Sequence, residues 1–330
     1  MVWKIASLYI VSMIGAGFAS GQEAVQFFAV FGWSGLIGLL IATSLLSIFG
    51  MRIVNYCAVH NTTSYLQVLQ QLTKVGAPYL DVALGFFLFA GLAIMLAGSN
   101  EAILHLLSIE GGRYITASLV LLVLMQGPGK VMAVSSWMTG PLVLIMMLIG
   151  VRTICIETVI VPTESVVMGP LYGLLYAGYN LGFALTIFAG VGPVLPSGRQ
   201  AKIGGGLGGA VLGLLLSVTI FALWSTSPLT LFQPIPMLML ANRWSGWIGA
   251  VYGLILWCAM YTTAIANTLA LSMRVRQMLT LPNPLVCIVL VGTASLASNM
   301  GFVYLIKVAY PLFGYIGVYL MYRIYLITRN

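Results

Sequence analysis

Charge is what this sequence has least of. Fourteen Lys and Arg and six Asp and Glu are spread over 330 residues, 6% of the chain against 61% hydrophobic. A soluble domain carries roughly 25% charged residues, so this scarcity excludes an ordinary water-soluble fold and points to lipid. Cysteine is sparse too. Cys57, Cys155, Cys258 and Cys287 make no C-x-x-C pair, which favours small apolar packing over metal or redox chemistry. His60 and His105 are the two histidines and each stands alone, so neither makes a metal site. There is no H-E-x-x-H, no G-x-S-x-G and no convergent pair of acids, which leaves an intramembrane enzyme without support. The net charge of +8 comes without a basic stripe interleaved with aromatics, so nucleic acid is not an expected partner.

Long apolar runs are what the sequence has in abundance. A spanning helix needs about 20 mostly apolar residues, and ten such segments can be drawn: 3–30, 34–57, 79–104, 114–127, 130–151, 168–190, 203–225, 244–273, 284–298 and 301–326. Continuous runs of this kind are not the short alternating strands of a β-barrel. The expected fold is an all-α membrane protein of ten transmembrane helices, forming one domain over residues 1–330. The first run is too long for the apolar region of a signal peptide and reads as the first span. With an even number of spans both termini share a side. Lys4, Arg52, Lys74, Lys130, Arg199, Lys202, Arg274, Arg276, Arg323 and Arg329 fall on that side, against Arg113, Arg152 and Arg243 on the other. Glu110, Glu157 and Glu164 join the second group. This positive-inside bias predicts a bacterial-type cytoplasmic (inner) membrane with both termini in the cytoplasm. Lys307 lies inside the tenth segment. It reads either as a functional intramembrane charge or as a snorkelling side chain.

The apolar runs are punctuated in two places. Met13 to Glu23, "MIGAGFASGQE", interrupts the first segment near Gly15–Ala19, and the sixth has a comparable interruption at Gly178–Gly182. The two lie about 163 positions apart with five segments in each half. An odd number per half predicts inverted repeats over approximately 1–155 and 165–330. Long connections at 58–78 and 226–243 fall in corresponding places, and Thr62-Thr63-Ser64 predicts a capped short amphipathic helix in the first of them. Paired interruptions point to a substrate site at the bilayer midplane, because unwound backbone in lipid must be satisfied by protein, water or ligand. Ser20-Gly21-Gln22-Glu23 matches the capping-box pattern. It predicts that Ser20 and Glu23 start the outer half-helix, in a capping or gating role, which leaves Ile14–Ala19 as the ligand-binding backbone. Gly205, Gly209 and Gly213, at i, i+4 and i+8, predict close helix packing.

The "IGAGF" of Ile14–Phe18 resembles the first-helix signature of the amino acid–polyamine–organocation (APC) superfamily, whose members share the five-plus-five inverted-repeat LeuT fold with broken helices 1 and 6. The wider "GAGFASGQE" resembles that of small bacterial permease-like proteins within it. A third stretch, "CAMYTTAIANT" from Cys258 to Thr268, resembles the eighth helix of sodium-coupled members. The resemblance implies a sodium site in which the Ala259 carbonyl and the Thr262 and Thr263 hydroxyls face the Val11 and Ile14 carbonyls. Positions 259, 262 and 263 share one helical face, and five neutral oxygens suit a monovalent cation better than calcium or magnesium. Back-bonding of both threonines to their own helix is the competing reading. Proton-coupled relatives often carry a lysine on the fifth helix. Here Val131 to Gly150 has no basic residue and Lys130 lies at the inner end, which favours sodium as coupling ion, with no other cofactor.

For the substrate, the resemblance implies a carboxylate on the amides of Ala16 and Gly17, within the Gly15–Phe18 stretch. Asn180 would present its amide, Phe183 would wall the pocket and Tyr179 would contribute. The implied function is a secondary active transporter of a small amino acid or related zwitterion, sodium-coupled, working by alternating access. The expected partners are a small-molecule amino acid or amine and the bilayer. The alternatives are a non-transporting receptor or sensor with an amino-acid-binding pocket, and a proton-coupled or uncoupled permease.

Overall fold

The computed structural model describes residues 1–73, 76–126, 129–162, 167–278 and 281–329, and no strand occurs among them. The side chains of 126–139 and 277–280 also fall outside the description. Lys74, Glu164 and the Lys130 side chain, used above for topology and coupling, therefore lie outside the described residues.

The first expected span is three helices in series: α1 (Val2–Met13), α2 (Ala16–Ser20) and α3 (Gln22–Phe27). Ile14 (φ −84°, ψ 93°) and Gly15 (φ −100°, ψ −178°) separate α1 from α2 in extended conformation. Gly21 separates α2 from α3 at φ +86°, a left-handed position where a residue without a Cβ pays no steric penalty. The chain continues through α4 (Gly32–Val59), α5 (Tyr65–Leu72), α6 (Ala77–Leu107), α7 (Gly112–Gln126) and α8 (Gly129–Ile156). The second half holds α9 (Gly169–Gly190), α10 (Arg199–Trp224), α11 (Pro236–Trp244), α12 (Gly246–Met278), α13 (Asn283–Ala297) and α14 (Phe302–Ile327). Seven described stretches are long and apolar enough to cross a membrane, and Val2–Met13, Gly112–Met125 and Gly140–Ile156 are shorter apolar helices. This is a multi-pass membrane protein.

The break expected in the sixth segment is absent: α9 runs uninterrupted from Gly169 to Gly190. Gly178 and Gly173 serve helix packing instead. A Cβ on Gly178 would overlap the Gly314 carbonyl, and one on Gly314 would stand 2.6 Å from the Leu175 carbonyl oxygen, so α9 and α14 touch backbone to backbone. Gly173 meets Gly38 of α4 in the same way. The predicted glycine row of α10 also packs on α4, where a Cβ on Gly205 would lie 2.5 Å from the Gly50 carbonyl oxygen, with Gly209 against Ser47 and Gly213 against Thr43. Lipid tails offer no hydrophobic drive between helices, so such close approach is how these surfaces gain attraction.

The predicted amphipathic helix is α5, and the Ser64 hydroxyl caps it by accepting from the Gln67 amide (3.3 Å). Asp81 of α6 and Arg274 of α12 form an ion pair beneath it. Tyr65 donates to Asp81 (2.6 Å) and accepts from Arg274 (2.6 Å). Burial pushes the Tyr65 phenol up to about 12, so it remains a donor at working pH. Arg323 of α14 donates to the Leu72 carbonyl at the other end of α5 (2.7 Å).

Candidate functional site

The interruption after Met13 changes where backbone bonds go. The Gly15 amide, which would close a turn on the Val11 carbonyl, donates to Met13 instead (3.1 Å), while Ile14 still bonds Ile10 (3.0 Å). The first bond of α2 runs from the Ala19 amide to the Gly15 carbonyl (3.0 Å). The amides of Ala16, Gly17 and Phe18 precede it and have no intrahelical partner by geometry.

These groups border a cavity of about 400 Å3. It gathers Val11, Ile14, Gly15, Ala16 and Gly17 from the first span, Tyr179, Asn180 and Phe183 from α9, and Ala259, Thr262 and Thr263 from α12. Three of the expected site residues are not among its walls. Phe18 is packed in the core, Ser20 is buried against its own backbone, and Lys307 sits on the exposed flank of α14 beside Tyr304 and Val308.

Thr262 and Thr263 both donate to the Ala259 carbonyl (3.1 and 2.8 Å), so the back-bonded arrangement is present. A hydroxyl that donates its proton keeps its lone pairs, and both side chains still border the cavity. Asn180 donates to the Tyr176 carbonyl one turn earlier (3.0 Å).

Glu23 departs from the capping-box expectation. The Ser20 hydroxyl donates to the Gly17 carbonyl (2.7 Å) and accepts from the Gln22 amide (3.2 Å), not from Glu23. The left-handed Gly21 starts a new helix at Gln22, which makes Glu23 its second residue instead of the third that a capping box requires. Released from that role, the carboxylate accepts from the Tyr179 hydroxyl and borders the cavity at 3% exposure. It is the one charged side chain among the described residues lining it. A Cβ on Gly17 would lie 2.6 Å from Glu23 Oε1 and 3.1 Å from the Tyr310 hydroxyl, so three elements converge there. Tyr179 stacks on Tyr310 (centroids 4.8 Å apart, planes at 23°) and on Phe27 (5.7 Å, 26°), and Phe183 leans on Phe87 (4.6 Å).

Tyr310, Phe87, Gly91, Met95 and Asn267 also line the cavity and escape the sequence reading. Asn267 follows Thr263 by four residues and shares its helical face, a signal present in "TTAIAN". Nothing in the sequence marks Tyr310 or Phe87.

Access is one-sided. Ser7, Val11 and Gly15 form an exposed stripe along α1, Val11 at 42%, and Ala266 opposite is exposed as well. Toward α3, residues 16–29 are buried apart from the half-buried Gln26. Tyr252 donates to the Ala19 carbonyl, Gln22 to the Gln233 carbonyl (2.6 Å) and Trp224 to the Ala29 carbonyl (3.0 Å), while Met237 presses on Gly21. The cavity is open on the side where α1 begins and sealed on the other.

No family model matches the chain. It is 26% identical over 322 residues to the "uncharacterized membrane protein YkvI" of Bacillus subtilis, covering 96% of this chain and 92% of that one. It is 25% identical over 336 residues to "uncharacterized protein YyaD" of the same organism, covering 97% and 96%. Among solved structures, the inward-facing conformation of Mhp1 superposes with a TM-score of 0.67 at 13% identity, over 99% of this chain and 77% of that one. The chain has the fold of Mhp1.

Proposed function

We propose that this chain, built on the fold it shares with Mhp1, is a secondary active transporter of a small amino acid or related zwitterion. In this reading it is coupled to sodium and works by alternating access between inverted repeats at approximately 1–155 and 165–330. The observation that carries the proposal is the convergence on one cavity, open on one side only, of the first-helix break and the paired threonines of α12. A carrier needs such a site, because a ligand reached from both sides at once would leak. Sodium would sit between the Val11 and Ile14 carbonyls and Ala259, Thr262 and Thr263, and the substrate between Gly15–Gly17 and Tyr179, Asn180 and Phe183. With both termini in the cytoplasm of an inner membrane, the open side of the cavity faces inward.

The test is a thermal-shift screen of the purified protein against amino acids with and without sodium, followed by uptake into proteoliposomes. The proposal expects sodium-dependent stabilisation and uptake. Stabilisation by no amino acid or amine under either condition would overturn it, and binding without uptake would favour the receptor reading.

A further inference from the structure

The chemistry of the cavity wall divides the possible ligands. Its single described charge is the Glu23 carboxylate, buried to 3% exposure and bonded to the neutral Tyr179 hydroxyl. Tyr176 also faces that carboxylate, and the Tyr310 hydroxyl lies with Glu23 Oε1 over Gly17. Each of these groups is an uncharged donor. No Lys, Arg or His is among the described lining residues. Moving a carboxylate out of water costs several kcal/mol even after relaxation, and neutral donors do not offset that cost, so the buried acid either takes up a proton or needs a cation beside it. Among the described residues, what the wall lacks is a cation.

The rings supply a second argument. Tyr179 and Tyr310 stack at 4.8 Å beside the carboxylate, and Phe87 lies within 6.4 Å of Tyr310. Tyr179 is stacked by Tyr310 and by Phe27, so it offers the site its hydroxyl, and a cation drawn within about 6 Å of these rings by their negative faces would meet the Tyr310 face turned away from Tyr179. That face and the same carboxylate would repel a second anion. A ligand whose recognised group is a carboxylate would therefore meet like charge, while one bearing an ammonium would complete the pairing. At about 400 Å3 the space suits a small organic molecule.

Resting on the transporter reading above, we propose that Glu23 with Tyr179 and Tyr310 is the seat of a substrate ammonium group. On this view the ammonium is the obligatory part of the substrate and a carboxylate is dispensable. The ligands it selects are organic amines, whether or not they also carry an acid.

The test uses the full-length purified protein at constant sodium, with n-alkylammonium ions of two to six carbons as probes. The alcohols and the carboxylates of the same chain lengths are the comparison set, and binding is read as thermal shift and by calorimetry. The proposal expects stabilisation by at least one alkylammonium, none by the carboxylates, and at least a tenfold weaker Kd for that ion in Glu23→Gln. Stabilisation by carboxylates alone, by none of the probes, or an unchanged Kd in folded Glu23→Gln would overturn it. Should Glu23→Gln lose its sodium response while keeping its alkylammonium affinity, Glu23 holds the inorganic ion and the proposal falls. If Glu23→Gln does not fold, Glu23→Asp replaces it. That variant keeps the charge and should keep the preference for ammonium over carboxylate, and a folded Glu23→Asp without that preference refutes the idea. Unchanged amino-acid uptake by Glu23→Gln would sink this proposal and leave the transporter standing. Alkylammonium binding by a wild-type protein that takes up none of the panel would do the reverse.

Discussion

Gly17→Ala probes the site at the point where three elements meet. The added methyl carbon would lie 2.6 Å from Glu23 Oε1 and 3.1 Å from the Tyr310 hydroxyl. Carbon and oxygen do not approach so closely without displacement, and contacts become favourable only near about 3.5 Å. One of the two side chains must move by a few tenths of an ångström to about 1 Å. The carboxylate is the far end of a flexible side chain and gives way first, which leaves the backbone of α2 intact. Alanine in place of glycine in a helix contributes roughly 0.5–1 kcal/mol, which offsets part of the crowding, so the melting temperature should change by only a few degrees. Ligand affinity should change more. A hydrogen bond to a charged group is worth about 1.5–3 kcal/mol, so displacing the carboxylate should weaken alkylammonium binding roughly ten- to hundredfold. Calorimetry on wild type, Gly17→Ala, Glu23→Gln and the double variant measures this directly. If the methyl acts through Glu23, it adds little in the Glu23→Gln background. Wild-type affinity in Gly17→Ala, or a full second loss in the double variant, would refute the reasoning.

Other outcomes follow from the same geometry. Thr263→Ala should abolish or strongly weaken stabilisation by sodium while the protein still folds, and an unchanged sodium affinity in a melting titration would remove Thr263 from the proposed ion site. Asp81→Asn should cost about 1–3 kcal/mol by leaving Arg274 without its counter-charge, below the roughly 3–5 kcal/mol of a fully buried pair because both groups are partly exposed. Hydrogen exchange should quicken across Tyr65–Leu72, and unaltered protection there would mean the ion pair does not anchor α5. Gly173→Ala forces a methyl into the Gly38 carbonyl of the neighbouring helix and should lower the yield of monodisperse protein in size-exclusion chromatography far more than Gly182→Ala, whose Cβ meets nothing within 4 Å. Lys307→Gln, on an exposed flank, should leave ligand affinity within twofold of wild type.

The same residue type was legible in one place and misleading in another. At Ile14–Gly15 the glycine run does mark unwound backbone, because Gly15 stands in open space with extended dihedrals. At Gly178–Gly182 a similar run lies in a continuous helix, where Gly178 is needed to meet α14 and Gly182 stands in open space. Sequence punctuation alone does not separate these cases, since both ask for a missing side chain and only the neighbouring helix decides why. Glu23 shows a second limit. Ser-x-x-Glu matches a capping box letter by letter, yet Gly21 resets the helix start by one residue and frees the acid for Tyr179. The threonine face of α12 came from the family resemblance, with a spacing consistent with it, and it borders the cavity. Tyr310 lies 131 positions beyond its stacking partner Tyr179, and no local pattern could have joined them.

The Glu23 carboxylate, the one acid among the described residues of the cavity wall, has an electrical consequence. A fixed charge belongs to the carrier and does not leave with the cargo. If Glu23 stays behind while an ammonium and a sodium ion depart, each cycle moves two positive charges across the membrane. A potential of 100 mV contributes about 2.3 kcal/mol per charge, and two charges together are equivalent to a concentration ratio of roughly three orders of magnitude. Such a carrier would be driven by membrane voltage as much as by its ion gradient, and substrate addition to a voltage-clamped bilayer would register as current.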